Sequence, residues 1–201
     1  MKAFKIFERN FVWTRTIIIN SIILVLVLII LFISLILKIE KSTLLFTLSI
    51  LVFASYLIGV IFKLGNINRI QQLQGKIIGE LIFEEDFIKI NRAIITLDDI
   101  NKIEISGVDW YGLRKSNYLL DYNYEGGLSN GVDNLLKIEY KNNTKQKIQF
   151  QKNSICEFKE IEEIIKKYYI NNKIGYLNCV DILCLSEPKQ YNEFKNISKI
   201  N

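Results

Sequence analysis

The chain of 201 residues has no histidine, which removes the commonest general base and the commonest side-chain metal ligand. Its three cysteines, Cys156, Cys179 and Cys184, include no CxxC pair. They are too few and too irregularly spaced for a disulfide framework or a zinc site, and are expected as reduced thiols. The two longest apolar runs, residues 17–37 and 44–62, contain no Asp, Glu, Lys, Arg or His, which argues against a proton relay or an ion transporter. The glycine-rich stretch from Gly126 to Gly131 lacks the GK[ST] ending and the strand-to-helix context of a phosphate-binding loop. Carboxylates pair at Asp98-Asp99 and in Glu84-Glu85-Asp86, but both groups fall at strand turns, where acids are common. No catalytic residue, no metal and no cofactor is expected.

Each apolar run is long enough to cross the roughly 30 Å hydrocarbon core of a bilayer at about 1.5 Å of rise per residue. Together they predict a transmembrane hairpin. A signal peptide is a poorer description, because the first run exceeds the usual h-region, no small-x-small cleavage site follows and a second span comes at once. The charge supports the hairpin. Of the net charge of +5, residues 1–62 carry +4, from six basic and two acidic side chains, and the remainder is nearly neutral. The basicity therefore belongs to the membrane segment, and a nucleic-acid polymer is not an expected partner.

Residues 1–16 mix Lys2, Lys5, Arg9 and Arg15 with Phe4, Phe7, Phe11 and Trp13, the composition of an interfacial arm. Beyond the second span come Lys63, Arg69 and Lys76 before any acid, whereas the connector around Lys38, Glu40 and Lys41 is nearly balanced. The positive-inside rule then puts both ends in the cytoplasm, N-in and C-in, in a bacterial inner membrane. Within the spans, Ser55 and Gly59 form a small-xxx-small pair, and Asn20 lies at about the depth of Gly59 in an antiparallel hairpin. These three are the expected helix-packing residues, with a homo-oligomer through the hairpin as one outcome.

Residues 63–75 form a polar linker in which Ile67, Ile70 and Leu73 have the spacing to extend the second helix. From Lys76 the period becomes two: Leu81 and Phe83, Ile88 and Ile90, Ile103 and Ile105, Leu136 and Ile138, Ile148 and Phe150 alternate with polar residues. That pattern predicts six or seven antiparallel strands buried on one face. Ser154 to Glu157 fits a capping box, followed by a helix over 155–169 with Phe158, Ile161, Ile165 and Tyr168 on one face. The expected fold is thus α+β: a helical hairpin, then a mainly antiparallel domain over 76–170 with one C-terminal capping helix. For residues 171–201 a partly disordered tail is the expectation.

Gly79 to Phe83 leading into Phe87 to Ile90, then Ile95 to Ile100 with Ile103, the late hairpin from Leu136 to Phe150 and the helix from Ile155 to Tyr169 resemble the bacterial pleckstrin-homology-like (PH-like) membrane proteins. The resemblance implies a scaffold or binding module, not an enzyme. Lipid-headgroup recognition does not carry over, because the first hairpin turn here is acidic and repels phosphate. The architecture is also similar to membrane effectors of bacterial antiphage systems, in which a two-span hairpin carries a small β-barrel that senses a cyclic oligonucleotide.

The leading site candidate is the aromatic stretch containing Trp110, Tyr111, Tyr118, Tyr122 and Tyr124 with Arg114 and Lys115. Aromatic faces there would stack a base while the two cations meet phosphates. The commoner alternative is an edge strand with its tyrosines on one face and glycines in the turn. The expected activity is non-enzymatic: a domain that holds a partner protein or small ligand at the lipid bilayer, or alternatively a ligand-gated effector that breaches it.

Overall fold

The computed structural model describes residues 2–35, 43–115, 118 and 123–197. The chain divides into two compact units: Phe11–Gln74 with Arg114–Leu128, and Met1–Asn10 with Gly75–Leu113 and Ser129–Asn201.

In the helical unit, α1 (Arg15–Leu35) and α2 (Thr43–Gly65) are 21 and 23 residues long, or about 32 and 35 Å at the usual rise. Both are long and apolar enough to cross a membrane. Most of their apolar side chains are exposed, and only Ile19 and Ile33 of α1 and Gly59 of α2 are fully buried. A core helix of a soluble protein would bury a stripe of such residues. The helices pair antiparallel, with the Arg15 guanidinium 5.8 Å from the centre of the Phe62 ring. The continuation of α2 that the spacing of Ile67, Ile70 and Leu73 allows does not form. The chain turns after Gly65, and Ile70 instead makes a parallel bridge to Leu128. The connector between the helices lies largely outside the described residues.

The sheet unit begins with a strand where an interfacial arm was expected. β1 (Ala3–Arg9) buries Phe4, Ile6 and Phe7, the odd spacing arising from a bulge between Ile6 and Phe7. β2 (Gly75–Phe83), β3 (Phe87–Ile90), β4 (Ala93–Thr96) and β5 (Ile100–Ser106) follow, then β6 (Tyr111–Arg114) and β7 (Leu128–Asn130), β8 (Asn134–Tyr140) and β9 (Lys145–Gln151). Seven of these strands form one sheet in the order β4-β3-β2-β1-β9-β8-β5, and every pairing is antiparallel. β6 and β7 pair separately. The two outermost strands, β4 and β5, are joined by a single 3-10 turn, Leu97–Asp99, so the sheet must curl back on itself. The fold is α+β, as the alternation predicts.

A 3-10 turn, Glu157–Ile161, leads into α3 (Glu162–Ile170). Their buried face, Phe158, Ile161, Ile165 and Tyr168, packs on the inner face of the sheet. Phe158 stacks on Phe4 at 4.8 Å, and the Tyr168 hydroxyl donates to the Glu84 carbonyl at 2.7 Å. The capping box is displaced by one residue. Glu157 accepts from the Asn153 backbone N–H at 2.6 Å and from its side-chain amide at 3.1 Å, and Ser154 caps nothing.

Two further helices replace the expected tail, α4 (Tyr176–Ile182) and α5 (Pro188–Ile197). Residues 173–178 cover the open edge of β5. Ile103 N–H donates to the Lys173 carbonyl at 2.6 Å, and the Asn178 side chain takes both the N–H and the carbonyl of Ile105. An edge strand treated this way is closed to pairing with another chain. Cys156 and Cys184 are joined by a disulfide with Cα atoms 5.7 Å apart, contrary to the expectation of three thiols; a separation of 28 residues hid their proximity. Cys179 stays free and buried, and burial pushes its thiol up to about 12.

Lys2 is the charged link between β1 and this helical layer. Its ammonium lies 2.8 Å from Glu157, which is 1 % exposed, and 3.1 Å from Glu160. Burial acts to raise the Glu157 pKa, but the Lys2 and Asn153 hydrogen bonds outweigh it and hold the carboxyl below its ordinary 4.5. Hydrogen bonding to Glu157 in turn raises Lys2 above 10.5, against the opposing effect of burial. The carboxylate therefore contributes stability that is complete above pH 4.5 and is lost as pH falls through its folded value. The ammonium contributes stability that is complete below pH 10.5 and is lost as pH rises through its folded value. Lys2→Met strands a buried carboxylate and is expected to cost about 2–3 kcal/mol at pH 7, with the deficit shrinking as pH falls and Glu157 takes up a proton. Urea titrations across pH check both effects; a variant as stable as the parent at pH 7 would show that the pair is not structural.

Candidate functional site

The inward phase of β9 runs Ile148, Phe150 and then Lys152, one residue past the strand end. The first two join the core, so Lys152 follows them inward and is only 5 % exposed. Its backbone is clamped from both sides: Lys152 N–H donates to the Gly131 carbonyl at 2.8 Å, and Tyr111 N–H donates to the Lys152 carbonyl at 2.9 Å. These two bonds place Trp110 beside Lys152. Gly131 has φ +72°, and a Cβ there would sit 2.2 Å from the Lys152 carbonyl oxygen and 2.4 Å from Tyr111 N. Only glycine allows that approach.

Above this clamp lies a cleft of about 540 Å³, within the size range of small-molecule sites. Trp110, Ile155 and Ile182 supply apolar wall, and Lys152, Glu104 and Asp181 supply charge. Cys184 lines it too, so the Cys156–Cys184 bond fastens the end of α4 to the segment carrying Ile155. Glu104 is engaged by Lys137 at 2.9 Å, and that hydrogen bond is the main reason its carboxyl titrates below the ordinary range. Among the described residues no carboxylate lies within ion-pairing distance of the Lys152 ammonium. Burial lowers its pKa from 10.5, more than the fields of Glu157 and Asp109 raise it.

The aromatic and basic candidates divide between the two units. Trp110 and Tyr111 belong to the sheet unit, with Trp110 on the cleft and Tyr111 half exposed. The others described belong to the helical unit and are tied into its framework. Arg114 donates to Asn68 at 2.8 Å and Lys115 donates to Gln71. Tyr118 is buried, its hydroxyl within 2.8 Å of the Lys63 carbonyl and 2.7 Å of the Glu125 carbonyl. Tyr122 lies outside the described residues. Tyr124 packs its ring on Gly59, where a Cβ would meet the ring at 2.7 Å.

The remaining helix-packing candidates are placed simply. Ser55 donates to the Leu51 carbonyl at 2.8 Å, and Asn20 is exposed on α1. Gly126 and Gly127 press on the backbone of residues 67–71 within their own unit, a close approach that explains both glycines. The acidic turn at Glu85 and Asp86 is bridged by Lys167 of α3 at 3.0 and 2.8 Å, and Asp99 accepts from the Thr96 hydroxyl at 2.6 Å. Among the described residues no group of three or more His, Cys, Asp or Glu side chains is placed to hold a metal ion.

Sequence reasoning missed Lys152, Asp181, Ile155 and Ile182 as members of a site. A lysine in the inward phase of a strand was the one available signal. Comparison with protein-family models, curated proteins and solved structures found no match to this chain.

Gly131→Ala is expected to cost at least about 2 kcal/mol, from a left-handed conformation plus the clash with the Lys152 carbonyl. It should also shift Trp110 emission to the red as the clamp loosens. Urea unfolding and tryptophan emission of the variant test this; unchanged values would show that the Tyr111–Lys152–Gly131 clamp does not hold the cleft.

Proposed function

We propose that the chain is a membrane-anchored binding module: α1 and α2 cross a bacterial inner membrane as a hairpin, and the sheet unit holds a small ligand or protein partner at the cytoplasmic face. The observation that carries this is the uncovered apolar surface of two helices, each long enough to span. Water does not tolerate so much contiguous apolar area, whereas lipid does.

The place of the helices in the chain supports it. They leave the sheet unit after β1 and return at β2, and Arg9 pairs with Gly75 in that ladder. An even number of crossings follows, with residues before and after the hairpin on one side. Arg15, Lys63, Arg69 and Lys76 flank the hairpin on that side, which favours the cytoplasm under the positive-inside rule. The strand order, with a helix after the last strand covering the inner face, supports a PH-like reading of the sheet unit. Tyr124 already fills the Gly59 face of α2. That favours a module over a pore-forming effector, which would need the small-residue face for a second hairpin.

In a membrane preparation the chain should resist extraction by alkaline carbonate, and a phosphatase fused after Asn201 should be inactive. In a reducing cytoplasm Cys156 and Cys184 should both be alkylated by a permeant maleimide in intact cells. Release by carbonate would overturn the anchor. An active fusion together with a disulfide that persists in cells would place the sheet unit on the oxidising side and reverse the topology.

A further inference from the structure

The charges of the cleft are unequal. Its one cation, Lys152, is buried and has no anionic partner among the described residues, while its two acids, Glu104 and Asp181, stand on other parts of the wall. A buried ammonium without a counter-ion is costly, and a site in the structure that leaves one facing a cavity is complementary to an anion. One cation neutralises one negative charge. A second charge on the same ligand would find no second cation among the lining residues and would add to the charge of the wall acid Asp181, so phosphomonoesters and polyphosphates fit poorly. Ser106 and Asn178 add neutral polar groups, and the larger part of the remaining wall is apolar, including the half-buried indole of Trp110 with Ile155 and Ile182. A flat or branched hydrocarbon body is the complement of that surface.

We infer that this cleft is a binding site for a small organic monocarboxylate, with its carboxylate on Lys152 and its apolar body against Trp110, Ile155 and Ile182. The inference rests on reading the sheet unit as a ligand-binding module and names the ligand class. It absorbs Trp110 from the aromatic stretch but replaces Arg114 and Lys115 with Lys152 as the anion contact.

The chain has two tryptophans, so Trp13→Phe leaves Trp110 as the sole indole. Full-length protein carrying that substitution, in detergent micelles, is titrated with cinnamate, with its neutral isostere cinnamamide, and with phenyl phosphate at a pH where it is a dianion. The expected result is saturable quenching by cinnamate, with affinity at least about tenfold above that of the other two. Lys152→Met, an apolar replacement of similar length, should retain the thermal transition and abolish the preference for cinnamate over cinnamamide. Lys152→Arg should keep it.

Equal affinity for cinnamate and cinnamamide in the parent would overturn the carboxylate assignment without any variant being needed. So would Lys152→Met retaining the preference. Saturable binding of cinnamamide or phenyl phosphate in place of cinnamate would overturn the ligand class and leave the binding module standing. Absence of saturable quenching by all three would count against both.

Discussion

The sheet of this protein holds together through β1. Its seven residues lie between β2 and β9, so without them the ladder separates into β2-β3-β4 on one side and β9-β8-β5 on the other. Phe4 supplies the centre of the core, with the rings of Phe83, Phe150 and Phe158 at 5.7, 5.6 and 4.8 Å. One residue earlier than the strand, Lys2 ties the same segment to the buried Glu157. The apolar hairpin lies in the chain between β1 and β2. Folding of the sheet unit therefore needs residues from both sides of the hairpin. Contacts between such distant residues make the sheet a late and costly thing to close.

That same arrangement explains which elements were legible in the sequence. Strands β3, β5, β8 and β9 alternate apolar with polar residues over most of their length, and the period of two names them, whereas β2 ends on the consecutive apolar run Leu81-Ile82-Phe83. β1 alternates as well at Phe4, Lys5 and Ile6, but it sits beside a long apolar run, with four aromatics and four cations in residues 1–16. Those are also the marks of an interfacial arm. Nothing local separates the two, because what decides for a strand is a pair of partners more than sixty residues away. The last thirty residues were illegible for a related reason. Tyr176, Cys179, Ile182 and Leu183 have helical spacing, yet α4 is only seven residues long, too short to stand without the β5 edge that it covers. Asn178 is committed to that edge through the N–H and carbonyl of Ile105, and an asparagine gives no such indication in a sequence.

The candidate site was half legible. Trp110 was singled out, and it lines the cleft. Its supposed companions Arg114 and Lys115 were chosen because they are near in sequence, whereas the fold assigns them to Asn68 and Gln71 in the other unit. The cation that reaches the cleft is 42 positions away from Trp110, brought there by the Tyr111–Lys152 backbone bond. Its sequence signal was present. Ile148, Phe150 and Lys152 share one phase of an alternating strand, and a lysine in that phase must either end the strand's burial or be used.

The energetics explain why such a lysine is informative. Lysine and arginine are almost never buried without a partner, because desolvating an ammonium costs several kcal/mol, a large fraction of the stability of an ordinary domain. The neighbouring fold had an available remedy in Glu157, whose charge is instead committed to Lys2. Asp109 is likewise occupied, accepting from Asp133 N–H at 3.0 Å. Both acids raise the Lys152 pKa by their fields without contacting it, and burial still prevails. An apolar residue of the same length at this position would remove the penalty altogether, so the charge is a burden for stability alone. It becomes favourable only when an anion occupies the cavity, since the attraction is then expressed in the low-dielectric surroundings that make the empty state expensive. On the proposed reading the same surroundings would favour a carboxylate over its neutral isostere, which leaves the cation without a counter-ion as before.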